Sequence, residues 1–238
     1  MKATLPLIVG LLLIPGLGFS QTTTADASAG KTIEEKKLQS SVEVQVLSSL
    51  AAEPNRPEKQ QALDFIKKMI DDKKVTDQST DVIALLNQLG TEGTANVVYQ
   101  NGRVINDFPD IRRKSAELLG QIGGDGARDA LLTIAQKDKE PMVVAEAIYA
   151  LGNIGSADDN QRNYISSVIA HIVTVQDSVN PDNSLAFSAV KALEALGKNA
   201  NGKVNPEVFS ALARIANGNY VLSVRDSARD VIKTYTNF

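Results

Sequence analysis

The chain has 238 residues, 25 Lys and Arg against 28 Asp and Glu, a single His and no Cys. This length builds a medium domain with a proper core. The missing cysteines exclude a disulfide framework, a thiolate metal site and a Cys nucleophile together. A formal net charge of −3 gives no electrostatic reason to bind nucleic acid or an anionic membrane.

In chain order, the first feature is Lys2 followed by an apolar run from Leu5 to Phe19, broken by Pro15 and Gly16. Gly18 and Ser20 place small residues at the −3 and −1 positions of a cut after Ser20, so residues 1–20 read as a secretory signal peptide. The alternative is a retained anchor, but the run is shorter than the ~20 residues a spanning helix needs. The Thr/Ala/Ser-rich stretch 21–31 reads as a flexible lead-in. The mature protein is then expected to be exported, in the periplasm or outside the cell, with no membrane insertion after cleavage.

Residues 32–108 read as an irregular helical part. Ile33–Leu50 is ambiguous: Val42, Val44 and Val46 alternate as in a strand, while Leu38, Val42, Val46 and Leu50 suit a helix. Pro57–Asp71 and Thr80–Leu89 carry helical periodicity. Asn101-Gly102, between Val97–Gln100 and Arg103–Asn106, is the strongest short hairpin signal and predicts a small β-hairpin near residues 97–106.

From residue 109 the chain repeats itself. Pro109–Gly123 superimposes on Pro141–Gly155, with Leu119/Leu151, Ile122/Ile154 and both glycines coinciding. A third copy spans Leu185–Gly197, and a weaker fourth runs from Val224 to Tyr235. Within the first copy Ile111, Ser115, Leu118, Leu119 and Ile122 fall on one helical face. Proline at the first turn costs no hydrogen bond, and Gly123, Gly155 and Gly197 are expected as C-caps. Small residues (Ser115, Ala147, Ala189, Ala228) would let a neighbouring helix approach. Partner helices are expected at Ala127–Lys137, Gln161–Gln176 and Pro206–Ala216. Alternating short helices that each leave an apolar face for the next pair describe an all-α solenoid, with 57–108 and 109–238 forming one continuous domain.

The string Pro-Asp-Ile-Arg-Arg-Lys-Ser-Ala-Glu-Leu-Leu-Gly-Gln-Ile-Gly at 109–123, followed by Ala127-Arg128-Asp129-Ala130-Leu131-Leu132, resembles the short bacterial HEAT-like repeats. The chain is also similar to exported bacterial HEAT-repeat proteins. Arg112 and Arg225 occupy the arginine slot of the motif; Val144 and Ala186 depart from it, which interrupts any Asp–Arg ladder. The resemblance implies that the motif-bearing helices form the concave face. It also brings a rival reading, because phycobilin lyases carry similar repeats.

Candidate chemistry is thin. His171 lies beside Ile169, Ile172 and Val173 and reads as structural. Gly120–Gly126 lacks the Lys-Ser/Thr of a phosphate loop and follows a helix. Ser28-Ala29-Gly30-Lys31 stands without partner motifs. Asp158 and Asp182 read as helix N-caps. No catalytic residue, cofactor or metal is therefore expected. The remaining candidate is a surface on the concave helices, with one row of Arg113, Ala145, Phe187 and Asp226 and another of Glu117, Tyr149, Lys191 and Asp230. Aromatics flanked by cations have the composition of an interface hot spot, so Arg113, Glu117, Tyr149, Phe187 and Lys191 are the expected contacts for a protein partner. That points to a non-enzymatic scaffold or adaptor of the cell envelope. The alternatives are a lyase-type enzyme or chromophore-handling factor, and an element that self-assembles through its terminal helix. The hairpin offers a second contact by edge-strand pairing.

Overall fold

The computed structural model describes residues 33–95, 97–200 and 204–236, with the backbone alone for 33–41 and 199. The expected signal peptide at 1–20 and lead-in at 21–31 lie outside the described residues. Contacts divide the chain into Met1–Ser40 and Ser41–Phe238; apart from the start of α1, everything below concerns the second unit.

The ambiguous segment is helical: α1 spans Ile33–Ala52. Its buried positions, Leu47 and Ala51, are four apart, whereas Val42 and Val46 stay exposed. Burial at helical spacing decides against the strand. Helix α2 (Arg56–Asp71) starts with proline in its first turn and buries Ala62, Leu63 and Ile66. Helix α3 (Thr80–Thr91) buries Leu86 and Leu89 completely.

The hairpin is present but shorter than expected. Strands β1 (Tyr99–Gln100) and β2 (Arg103–Val104) pair Tyr99 with Val104 and Gln100 with Arg103. Asn101 and Gly102 both take positive φ, 51° and 75°, as the tight two-residue turn requires. In the next pair the Ile105 N–H still donates to the Val98 carbonyl at 3.0 Å, but the Val98 N–H is accepted by the Asn106 side chain at 2.9 Å instead of a backbone carbonyl, and the ladder stops there.

Seven further helices follow: α4 (Pro109–Ile122), α5 (Gly124–Lys137), α6 (Pro141–Ile154), α7 (Asp159–Val179), α8 (Asn183–Asn199), α9 (Pro206–Asn217) and α10 (Leu222–Thr236). Their packing gives two layers. In one, α2, α4, α6, α8 and α10 lie side by side; in the other, α3 packs on α5 and α7 on α9. Antiparallel pairs α3–α4, α5–α6, α7–α8 and α9–α10 join the layers, the arrangement of a helical-hairpin solenoid. The small residues Ser115, Ala147, Ala189 and Ala228 are all fully buried at these contacts.

Gly123 (φ 73°) and Gly155 (φ 60°) end their helices in a conformation that disfavours a side chain. Gly197 does not. It lies inside α8, which continues to Asn199, and a Cβ there would collide with the Tyr235 ring. Glycine is required at this position by a close approach rather than by a cap. Asp158 and Asp182 cap α7 and α8, accepting the N–H of Gln161 at 2.7 Å and of Leu185 at 2.8 Å. Asn205 precedes α9 without a side-chain cap; its amide instead donates to Ser167 Oγ at 2.9 Å, tying α9 to α7.

Candidate functional site

The motif-bearing helices α4, α6 and α8 each bury most of their surface and show a narrow stripe, whereas the last, α10, buries only Val224, Ala228, Val231 and Tyr235. On α6 the stripe is Met142, Glu146, Tyr149 and Asn153, spaced by four, three and four residues. Helix packing fixes this choice, because Val143, Ala147, Ile148, Ala150 and Leu151 are consumed against α4, α5 and α8. On α4 the stripe contains Arg113, Lys114 and Glu117; on α8 it contains Phe187, Lys191 and Glu194.

Tyr149 and Phe187 are 45% and 43% exposed, on adjacent helices. The Lys191 ammonium lies 5.8 Å from the Phe187 ring centre, within range of a cation–π contact. The neighbouring charges are mutually paired: Lys114 with Glu117 at 2.8 Å, Arg113 with Glu146 at 3.8 Å, and Lys191 and Lys198 with Glu194 at 3.0 and 2.8 Å. The two lysines hold the Glu194 carboxyl below its ordinary pKa, Lys198 by the stronger hydrogen bond, against the opposing effect of burial. Burial instead pushes Glu146 up, opposed by Arg113 and reinforced by Glu117.

Of the eight positions in the two expected rows, Ala145 is misplaced. It is buried, not outward, because its place on α6 turns under the neighbouring helix. Asp226 and Asp230 sit exposed on α10, bound to Arg229 and Lys233. Glu146 and Met142 share the α6 stripe with Tyr149 and were missed. Their spacing of three and seven residues from Tyr149 was the available signal.

His171 is exposed, not part of the core as its apolar neighbours suggest. On α7 the buried set is Arg162, Ile165, Ser166, Ile169, Ala170 and Val173, and residue 171 falls outside those rows. No group of three or more His, Cys, Asp or Glu that could hold a metal ion occurs among the described residues.

The motif arginine Arg112 plays a different part. It is buried, donating from Nε to Asp138 and from Nη1 to Asp107, both at 2.6 Å. Asp138 in turn accepts the Glu140 N–H at 2.9 Å, fixing the turn that leads into α6. Arg112 therefore fastens the loop after the hairpin to the α5–α6 turn. Arg225, in the corresponding slot of α10, has a buried Nε with no hydrogen-bond partner. The ladder is thus one rung at Arg112.

Residues 104–162, from β2 through the start of α7, match the family model for HEAT repeats. That segment is a HEAT-like repeat, and the helical hairpins after it continue the same packing. No curated protein matches it. HEAT repeats are in general scaffolds for protein interaction, and no helix among the described residues is long and apolar enough to cross a membrane.

Proposed function

We propose that this HEAT-like protein is a non-enzymatic scaffold or adaptor of the cell envelope that binds a protein partner on the α4–α6–α8 face. The exposed pair Tyr149 and Phe187, with Lys191 against the Phe187 ring, carries this reading. Two aromatic rings held on rigid neighbouring helices present apolar area with little side-chain entropy left to lose, the usual make-up of an interface anchor. Arg113 and Glu117 flank them as a polar rim. Export rests on the apolar run and small-residue exit of residues 1–20.

The test is crosslinked capture from envelope fractions with tagged protein, followed by the affinity of the recovered, purified partner for wild type and for Tyr149→Ala/Phe187→Ala. A loss of at least 10-fold in binding, with unchanged thermal unfolding, is the expected outcome. Equal binding by the double variant moves the contact off this face. A double variant that unfolds makes the two rings structural.

A further inference from the structure

The layer containing α3, α5, α7 and α9 is not closed. Helices α5 and α7 meet at only a few points, although α3–α5 and α7–α9 pack fully. One cause is length. Helix α7 has 21 residues and α5 has 14, so at 1.5 Å per residue α7 runs roughly 10 Å further. The opening is a cleft of about 1050 Å³ that reaches through the outer layer to the inner one. Ala135 and Gln136 of α5 form one wall, and Val168, Ile172 and Val175 of α7 the other. Val144 of α6 and Leu185 of α8, otherwise almost wholly buried, form its floor. Gln136 donates across the cleft to the Tyr164 hydroxyl at 3.4 Å.

This size is at the upper end of small-molecule pockets, roughly 300–1,000 Å³, and most of the lining surface is apolar, with Gln136, Ser167, Gln176 and Asn180 as its uncharged polar side chains beside the Tyr164 hydroxyl. Its charge is one-sided. Among the described residues the only carboxylate in the lining, Asp138, is enclosed by Arg112 and the Glu140 N–H. Lys139, at the rim, is exposed and forms no ion pair among the described residues. His171, the other basic side chain, stands on the ridge between this cleft and a smaller one towards α9.

We propose that the cleft between α5 and α7 binds a long-chain carboxylate, its acyl chain lying along Val168, Ile172 and Val175 and its head group paired with Lys139. A neutral or cationic amphiphile would fill the same apolar trough but leave Lys139 unpaired or opposed, so the head group carries the specificity. The site faces away from Tyr149 and Phe187 and is independent of the binding face proposed above.

The test is calorimetric titration of the full chain with dodecanoate, dodecyl maltoside and dodecyltrimethylammonium, each below its micelle concentration. One dodecanoate per chain is expected, bound at least 10-fold more tightly than the other two. Lys139→Glu and Val175→Asp, both at exposed positions, should each weaken dodecanoate by 10-fold or more without altering thermal unfolding. Tyr149→Ala/Phe187→Ala should bind it as wild type does. Similar affinity for all three amphiphiles, several molecules per chain, no saturable binding, or wild-type affinity in Lys139→Glu would each overturn the proposal.

Discussion

Arg112 has exchanged water for the two carboxylates of Asp138 and Asp107 and the carbonyl of Glu92. Its side chain is 4% exposed and that of Asp138 only 1%. Removing one member of such a pair strands the other charge in the core, typically at a cost of about 3–5 kcal/mol. Arg112→Met should lower stability by that order in urea unfolding. Adding Asp138→Leu should restore part of the loss, because the stranded carboxylate is then gone; a double variant weaker than the sum of both singles would contradict this account. Glu146 predicts a pH effect of opposite origin. Burial raises its pKa in the folded state, so the native protein holds that proton more tightly than the unfolded chain. Stability from this group is therefore present below the ordinary carboxyl pKa and declines as pH rises through the raised value. Glu146→Gln abolishes that decline. Its stability relative to wild type should be greater at pH 7 than at pH 4, measured by urea unfolding at both.

At the level of helices, two glycines set the spacing of the inner layer. A Cβ on Gly120 would come within 2.8 Å of the Ala150 Cβ, and one on Gly152 within 2.7 Å of the Ala192 Cβ. These are the same repeat positions one junction apart. Ordinarily Gly→Ala in a helix interior gains about 0.5–1 kcal/mol. Here overpacking should reverse the sign, with Gly120→Ala and Gly152→Ala each losing about 1–3 kcal/mol. Gly126→Ala in α5 is the internal control. Its Cβ would meet only ordinary contacts, 3.6 and 3.7 Å from Ile83, so it should gain stability on the same assay. The helices were readable because period and punctuation agree: Pro109 and Pro141 open, Gly123 and Gly155 close, and the apolar positions between them repeat. Gly197 misled because a glycine demanded by a tertiary neighbour looks, in sequence, like one demanded by a cap. The outward placement of the candidate face was legible in part. Tyr149, Phe187 and Lys191 follow from repeat register, whereas Ala145 failed because register predicts direction but not how far the next helix covers it. The α5–α7 cleft was not legible at all, since it arises from a mismatch in helix length, and α7 runs beyond the expected Gln176 to Val179.

For the molecule as a whole, continuity of the inner layer and interruption of the outer one imply uneven local stability. In a solenoid each element is held by its immediate neighbours, and Val175 and Val179 of α7 have 50% and 79% of their surface exposed. The last turn of α7 should open locally with far less free energy than its middle. Amides at 176–179 should exchange hydrogen at least 10-fold faster than those at 167–170, followed by mass spectrometry; uniform protection along α7 would show that the Tyr220 and Arg214 contacts to Asp177 are enough to hold the overhang. The pairing of Arg113, Lys114, Lys191 and Lys198 with Glu146, Glu117 and Glu194 has a kinetic consequence. Charges that satisfy one another cast little field into solution. A partner approaching the α4–α6–α8 face would receive almost no long-range guidance and would associate at the unsteered rate, about 10⁵–10⁶ M⁻¹s⁻¹. Added salt would barely change that rate, and selectivity would arise only after the surfaces meet, in how long the complex lasts.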